Sequence, residues 1–263
     1  MRSIFPIQKV QLQQLERLQT VPMHTLLEQL TQNGFAIVKT DGYQQRDAIV
    51  QTLEEARNMT TFRFPPVENI GTYSPEQRES FAALFRWTRI CLKALLTVLD
   101  KNKTCKELWK ALARCDDISL FHPNGQGNDP FQPGMDFSGS FFNVFHYDYG
   151  LLNAHRDRCL ITAIAVNQIN EPVAKTALWA NRSENCWVNV DELVEPQDII
   201  IFVGEDFTEL SSTLGNMVPA VLHCTRVDPE AERLIYFDDS PDPQSTTKNN
   251  RVSVAFVLSD AMM

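Results

Sequence analysis

Two periodicities divide the chain. Up to about residue 115, apolar residues recur at helical spacing. Beyond it they come in short runs separated by Gly, Asn, Asp and Pro. In the first part, Thr25 and Glu28 are spaced as a capping box ahead of Leu26, Leu27 and Leu30, with Gly34 as the stop. This predicts a helix beginning at Thr25, then a short apolar strand over 35–38. Ile49, Val50, Leu53 and Ala56 predict a second helix over 44–57. Pro65-Pro66 breaks the chain. Ser74-Pro75-Glu76-Gln77 is a strong helix start, with proline in the first turn, and Phe81, Leu84, Phe85, Leu92, Leu95, Leu96 and Leu99 follow it in helical register. Thr104 and Glu107 open a fourth helix carrying Leu108, Trp109 and Leu112.

After residue 115 the expected strands are 140–147, 159–167, 186–190, 198–203, 218–224, 233–237 and 251–258. They are β-branched or aromatic in character, and no long helix intervenes, which points to a sandwich, barrel or jelly roll. The segment 125–139 is a Gly/Pro/Asn/Asp-rich loop, and 241–250 is a second polar excursion. No internal repeat is present.

Composition narrows the class. The chain has 263 residues, 43% hydrophobic and 22% charged, so it is neither disordered nor fibrous. Its net charge of −9 argues against general phosphate binding, and no nucleic-acid partner is expected. No apolar stretch reaches membrane-spanning length, and the N-terminus lacks the apolar core of a secretory signal. The cysteines at 91, 105, 115, 159, 186 and 224 form no Cys-x-x-Cys pair and read as reduced thiols. A cytoplasmic location is the expectation.

Candidate chemistry lies among the five histidines, at 24, 122, 146, 155 and 223. His155-Arg156-Asp157 precedes the apolar run 159–166, and His223 ends the run 218–222. Residues i and i+2 of an extended segment share a face, so His155 and Asp157 can hold one ion together. A histidine from another strand completes a two-histidine, one-carboxylate triad, which leaves part of the ion open and is the ligand set of non-haem Fe(II) oxygenases. His146-Tyr147-Asp148 has the same spacing and is a rival. His-Arg-Asp also occurs in protein kinase catalytic loops, but the required Asn is Thr162 here, and no Gly-rich loop or Asp-Phe-Gly is present.

Longer segments carry a resemblance. "LLEQLTQNGFAIVKTDG", "FFNVFHYDYGLLNAHRDRCLITAI", "CWVNV", "DIIIFVGEDFTELSSTLG", "AVLHCTRV" and "RVSVAFVL" stand in the order of the corresponding segments of the isopenicillin N synthase-like family of 2-oxoglutarate- and Fe(II)-dependent oxygenases. The family has a threonine seven residues after its first histidine. Thr162 meets this for His155, whereas Asn153 stands there for His146. The resemblance implies a mainly β protein with helices: a double-stranded β-helix (jelly roll) over 116–263, supported by a helical region over 1–115. It implies Fe(II) on His155, Asp157 and His223. It implies 2-oxoglutarate held by Arg251 and Ser253, converted to succinate and CO2 as molecular oxygen oxidises a small-molecule substrate. Hydroxylation, desaturation and ring closure all occur in the family. Halogenating relatives have a small residue where Asp157 stands.

Some positions depart from the family. Arg251 lies further from His223 than is usual, which makes 241–250 an insertion. Arg233 fits the spacing better but has Ile235 where Arg251 has Ser253. Phe145 stands where a tyrosine often helps hold the cosubstrate; Tyr147 could substitute, although a buried aromatic suits both. Cys224 replaces a common arginine. The substrate pocket is expected to draw on 122–139, Phe141, Asn143 and the neighbourhood of Phe207. Two alternatives stay open: an Fe(II) oxidase of the same fold that does not use 2-oxoglutarate, and a jelly-roll binding module without catalysis.

Overall fold

A computed structural model of the chain describes residues 6–57, 74–114, 140–147, 152–166, 177–181, 186–226 and 251–259. The strand expected over 233–237, the loops over 125–139 and 241–250, His122 and Arg233 lie outside these residues.

The elements run in the order β1 (Val10–Gln11), α1 (Leu12–Glu16), α2 (Thr20–Asn33), β2 (Phe35–Lys39), α3 (Arg46–Arg57), α4 (Pro75–Leu99), α5 (Lys106–Arg114), β3 (Phe141–Tyr147), β4 (Leu152–His155), β5 (Ile161–Val166), β6 (Ala177–Asn181), β7 (Trp187–Asn189), β8 (Asp198–Val203), α6 (Glu205–Thr213), β9 (Leu222–Arg226) and β10 (Arg251–Leu258). Two sheets result. The larger has strand order β1-β2-β8-β5-β10-β3, and the smaller β4-β9-β6-β7.

The larger sheet is buried on both faces, and strict alternation sorts its side chains between two cores. Ala36, Val38, Ile161, Ala163, Ala165, Ile199, Ile201, Val252, Val254 and Phe256 pack with the helices. Phe35, Ile37, Ile164, Val166, Ile200, Phe202 and Ala255 pack with Leu178 and Ala180 of the smaller sheet. The molecule is therefore layered as helices, sheet, sheet. Near-continuous apolar runs such as Ile199–Val203 follow from burial on both sides.

Helix α4 makes the main contact with the sheet. Ser74 caps it: the Ser74 hydroxyl accepts from the Gln77 N–H, and the Gln77 side chain accepts from the Ser74 N–H. Phe81 and Phe85 then meet the fully buried Phe256 edge to face, with ring centres 5.3 and 5.4 Å apart.

The first long helix differs from the sequence expectation. It begins at Thr20, and the Thr25 hydroxyl donates back to the Val21 carbonyl inside the helix. A mid-helix threonine can satisfy itself this way, which removes the need for a cap at that point. Gly34 does end the helix, at φ 78°, where a side chain would be strained and a Cβ would meet Val221. The hydrophobic pattern does not announce β1, α1, β4 or β6. β9 begins at Leu222, inside the predicted run 218–224.

Candidate metal centre

The smaller sheet brings the two histidines together. β4 and β9 pair antiparallel with His155 directly opposite His223, and a register shift lies between Leu152 and His155. Directly opposed residues on one face are the closest cross-strand neighbours, so both rings turn to one point. The ring centres are 4.4 Å apart. Asp157 follows two residues beyond the end of β4. Its Oδ1 lies 3.4 Å from His155 Nε2 and 3.7 Å from His223 Nε2. The three ligand atoms lie within 4.8 Å of one another, and they form the one such group found among the described residues.

Each ligand is oriented by a further contact. His155 Nδ1 is 2.8 Å from the Asn153 carbonyl, and His223 Nδ1 is 3.2 Å from the Val221 carbonyl. A carbonyl can only accept, so each Nδ1 carries a proton, and each Nε2 is the ring atom turned toward Asp157. Thr162 Oγ1 donates to Asp157 Oδ2 at 2.6 Å, leaving Oδ1 toward the histidines. Phe202 lies flat on His223, with ring centres 4.8 Å apart and planes at 6°. The His223 side chain is 5% exposed and His155 37%, so the site is closed toward Phe202 and open on the His155 side.

The segment between His155 and β5 is held by the start of α6. The Glu205 N–H donates to the Asp157 carbonyl at 2.8 Å, and the Gly204 N–H to the Leu160 carbonyl at 3.2 Å. These backbone bonds fix the carboxylate from behind and satisfy donors at the helix N-terminus. Gly204 is required sterically: a Cβ there would stand 2.3 Å from the Cys159 carbonyl oxygen and 2.8 Å from that of Asp157.

The three groups influence one another's protonation. Burial pushes the Asp157 carboxyl up. The hydrogen bond from His155, the charge of His223 and the Thr162 hydroxyl together outweigh it, and the carboxyl ends below its ordinary value. The bond to Asp157 raises His155 against the opposing effect of burial. Burial lowers His223, against the opposing charge of Asp157. Two neutral-capable imidazoles and a carboxylate with fixed orientations suit a divalent transition ion with a partly open coordination sphere.

The predicted cosubstrate pair lies on β10. Arg251, Ser253 and Ala255 alternate onto the face toward the smaller sheet, and Ala255 belongs to the inter-sheet core. Arg251 and Ser253 are buried, and Arg251 Nη1 is 3.4 Å from Ser253 Oγ. A residue to which no sequence motif points meets them. Arg251 Nε donates to Asp191 Oδ2 at 2.6 Å, and Nη2 donates to Asp191 Oδ1 at 3.1 Å. His146 lies in β3, opposite Val252 of β10. His24 is exposed on α2. Phe141, Asn143, Phe145 and Tyr147 also fall in β3, and Phe207 is fully buried in α6. Cys224 is buried in β9, and burial pushes its thiol up to about 11.

The fold is similar to those of solved 2-oxoglutarate/Fe(II) oxygenases. A 2OG-Fe(II) oxygenase family protein from Caulobacter crescentus superposes with a TM-score of 0.53 at 15% identity, over 97% of this chain and 87% of its own. A full-length Neurospora crassa protein, in complex with alpha-KG and 5-formyluracil, gives 0.51 at 11% identity over 99% and 86%. The same Neurospora crassa protein with alpha-KG alone gives 0.50 at 12% identity over 99% and 87%. At these identities the likeness is one of fold. No family model and no curated protein sequence matches the chain. No helix among the described residues is long and apolar enough to cross a membrane.

Proposed function

We propose that the protein is a 2-oxoglutarate- and Fe(II)-dependent oxygenase of the isopenicillin N synthase-like kind, acting on a small molecule in the cytoplasm. In this reading residues 116–263 form a double-stranded β-helix core and residues 1–115 buttress it. The observation that carries the proposal is the convergence of His155 Nε2, Asp157 Oδ1 and His223 Nε2 across the β4–β9 pair. These atoms would hold Fe(II). Bound there, Fe(II) supplies the redox chemistry that couples decarboxylation of 2-oxoglutarate to oxidation of the substrate by molecular oxygen.

The chain's own residues set up that chemistry. The Asn153 and Val221 carbonyls hold the imidazole tautomers, and Thr162 holds the carboxylate so that one oxygen faces the ion. Phe202 keeps water from the His223 side. The more exposed His155 side is the entry for substrate and oxygen. Arg251 and Ser253 would bind the far carboxylate of 2-oxoglutarate, since a guanidinium beside a hydroxyl fits a carboxylate.

Uncoupled turnover tests the reading without knowledge of the substrate. With Fe(II), oxygen and 2-oxoglutarate, slow succinate formation is expected from wild type and none from a variant lacking all three ligands. If iron and 2-oxoglutarate bind but no succinate forms with any of a broad metabolite panel, a non-catalytic binding module replaces this reading. Oxygen uptake with a substrate but independent of 2-oxoglutarate would make the protein an oxidase.

The Thr162 contact gives a second expectation. Thr162→Val keeps the shape but removes the donor to Asp157 Oδ2. Iron affinity should fall by roughly 10–100-fold, the usual effect of losing an outer hydrogen bond to a ligand. Competition against a calibrated chelator reads this directly, and unchanged affinity would show that the backbone alone orients Asp157.

A further inference from the structure

Arg251 is not waiting for a carboxylate; it already holds one. Its side chain is 4% exposed, and that of Asp191 is 22% exposed. Two hydrogen bonds join them edge to edge, Nε to Oδ2 and Nη2 to Oδ1. This is the bidentate geometry by which arginine binds any carboxylate. The pair balances its own charge between the sheets.

Asp191 is also held from its own side. The Leu178 N–H donates to Asp191 Oδ2 at 3.1 Å, and the Val190 N–H donates to the Leu178 carbonyl at 2.8 Å. The Leu193 N–H closes the turn onto the Val190 carbonyl. Val190 and Val194, on either side of the turn, are buried in the inter-sheet core. The carboxylate is part of the smaller sheet's frame and cannot swing away as a mobile surface residue would.

We infer that Asp191 is an internal competitor for Arg251, and so a specificity-determining residue of the cosubstrate site. The inference rests on the reading above, in which Arg251 receives the far carboxylate of 2-oxoglutarate. A second carboxylate arriving at this guanidinium must share it with Asp191 or displace it. Either way two carboxylates compete for one buried guanidinium and one negative charge is left undercompensated, which is costly beside the buried Arg251. A 2-oxo acid with an uncharged tail meets no such opposition. The site should therefore discriminate weakly between 2-oxoglutarate and a monocarboxylic 2-oxo acid, and Asp191 should be the cause.

The test uses Fe(II)-loaded full-length protein without oxygen. Binding of 2-oxoglutarate and of 2-oxobutanoate is followed by the visible band of the iron chelate and by calorimetry. Wild type should prefer 2-oxoglutarate by less than about tenfold, whereas a bidentate arginine pair made without a competitor would give more. Asp191→Asn keeps the shape and the acceptor toward Leu178 but removes the charge. It should tighten 2-oxoglutarate at least about tenfold and leave 2-oxobutanoate unchanged. 2-Oxoglutarate should also raise the unfolding temperature of Asp191→Asn more than that of wild type, because it supplies the missing partner. Unchanged or weakened 2-oxoglutarate binding in Asp191→Asn overturns the inference and leaves the oxygenase reading intact. If Asp191→Asn does not fold, the wild-type preference decides alone, and a preference above tenfold overturns the inference. If iron binds but neither oxo acid does, the oxygenase reading fails and the inference fails with it.

Discussion

His155→Ala, Asp157→Ala and His223→Ala should each leave the protein essentially without iron, while His146→Ala should stay loaded. In the proposed centre each of the three supplies one of the three donors that converge among the described residues, and the remaining two cannot enclose the ion. The loss should exceed the roughly 10–100-fold expected for an outer hydrogen bond such as that of Thr162. Asp157→Ala should be the most severe, because it removes the only negative ligand and the group that sits between both imidazoles at 3.4 and 3.7 Å. Metal content after anaerobic reconstitution and desalting is the measurement. Iron lost in His146→Ala but kept in His155→Ala would move the first ligand to the rival motif.

Arg251→Ala should weaken 2-oxoglutarate binding by about 2–5 kcal/mol, which is roughly 30-fold at the least. Two effects act together. The far carboxylate loses its cation, and the partly exposed Asp191 carboxylate, no longer paired with Arg251, repels it. Arg233→Ala should change affinity much less. Breaking a buried pair is itself destabilising, so thermal unfolding must be recorded beside the titration. Arg251→Gln, which still offers an N–H toward Asp191, should fold better and bind equally poorly. Opposite results for the two arginines would place the cosubstrate at Arg233.

The site is legible where chemistry is local in sequence. His155-x-Asp157 is a period-2 signal, and Thr162 at its fixed distance separates it from the His146 copy. That His223 stands directly opposite His155 is not legible, because β4 reads Leu-Asn-Ala-His and has no apolar run. Its residues are half-buried or exposed, and such a strand leaves little trace in the pattern. β6 is half-buried on one face for the same reason. Two-residue β1 is too short to show any period. The long helix α4 is legible because cap, proline and apolar stripe agree. Asp191 is invisible for a different reason. In a polar turn it resembles any surface aspartate, and its partner lies 60 positions away.

The position of β2 has a consequence for how the chain reaches this structure. β1, α1, α2 and β2 lie within the first 39 residues, and β1 pairs parallel with β2. The other edge of β2 pairs with β8, and Thr40 bonds to Gln197 at a separation of 157 positions. During synthesis this early unit therefore carries an open strand edge until most of the chain has emerged. Non-local pairing of this kind is slow, and an exposed apolar edge is where nascent chains associate wrongly. The sequence Phe-Ala-Ile-Val-Lys of β2 is thus an apolar edge that has no sheet partner on that side until β8 has been made.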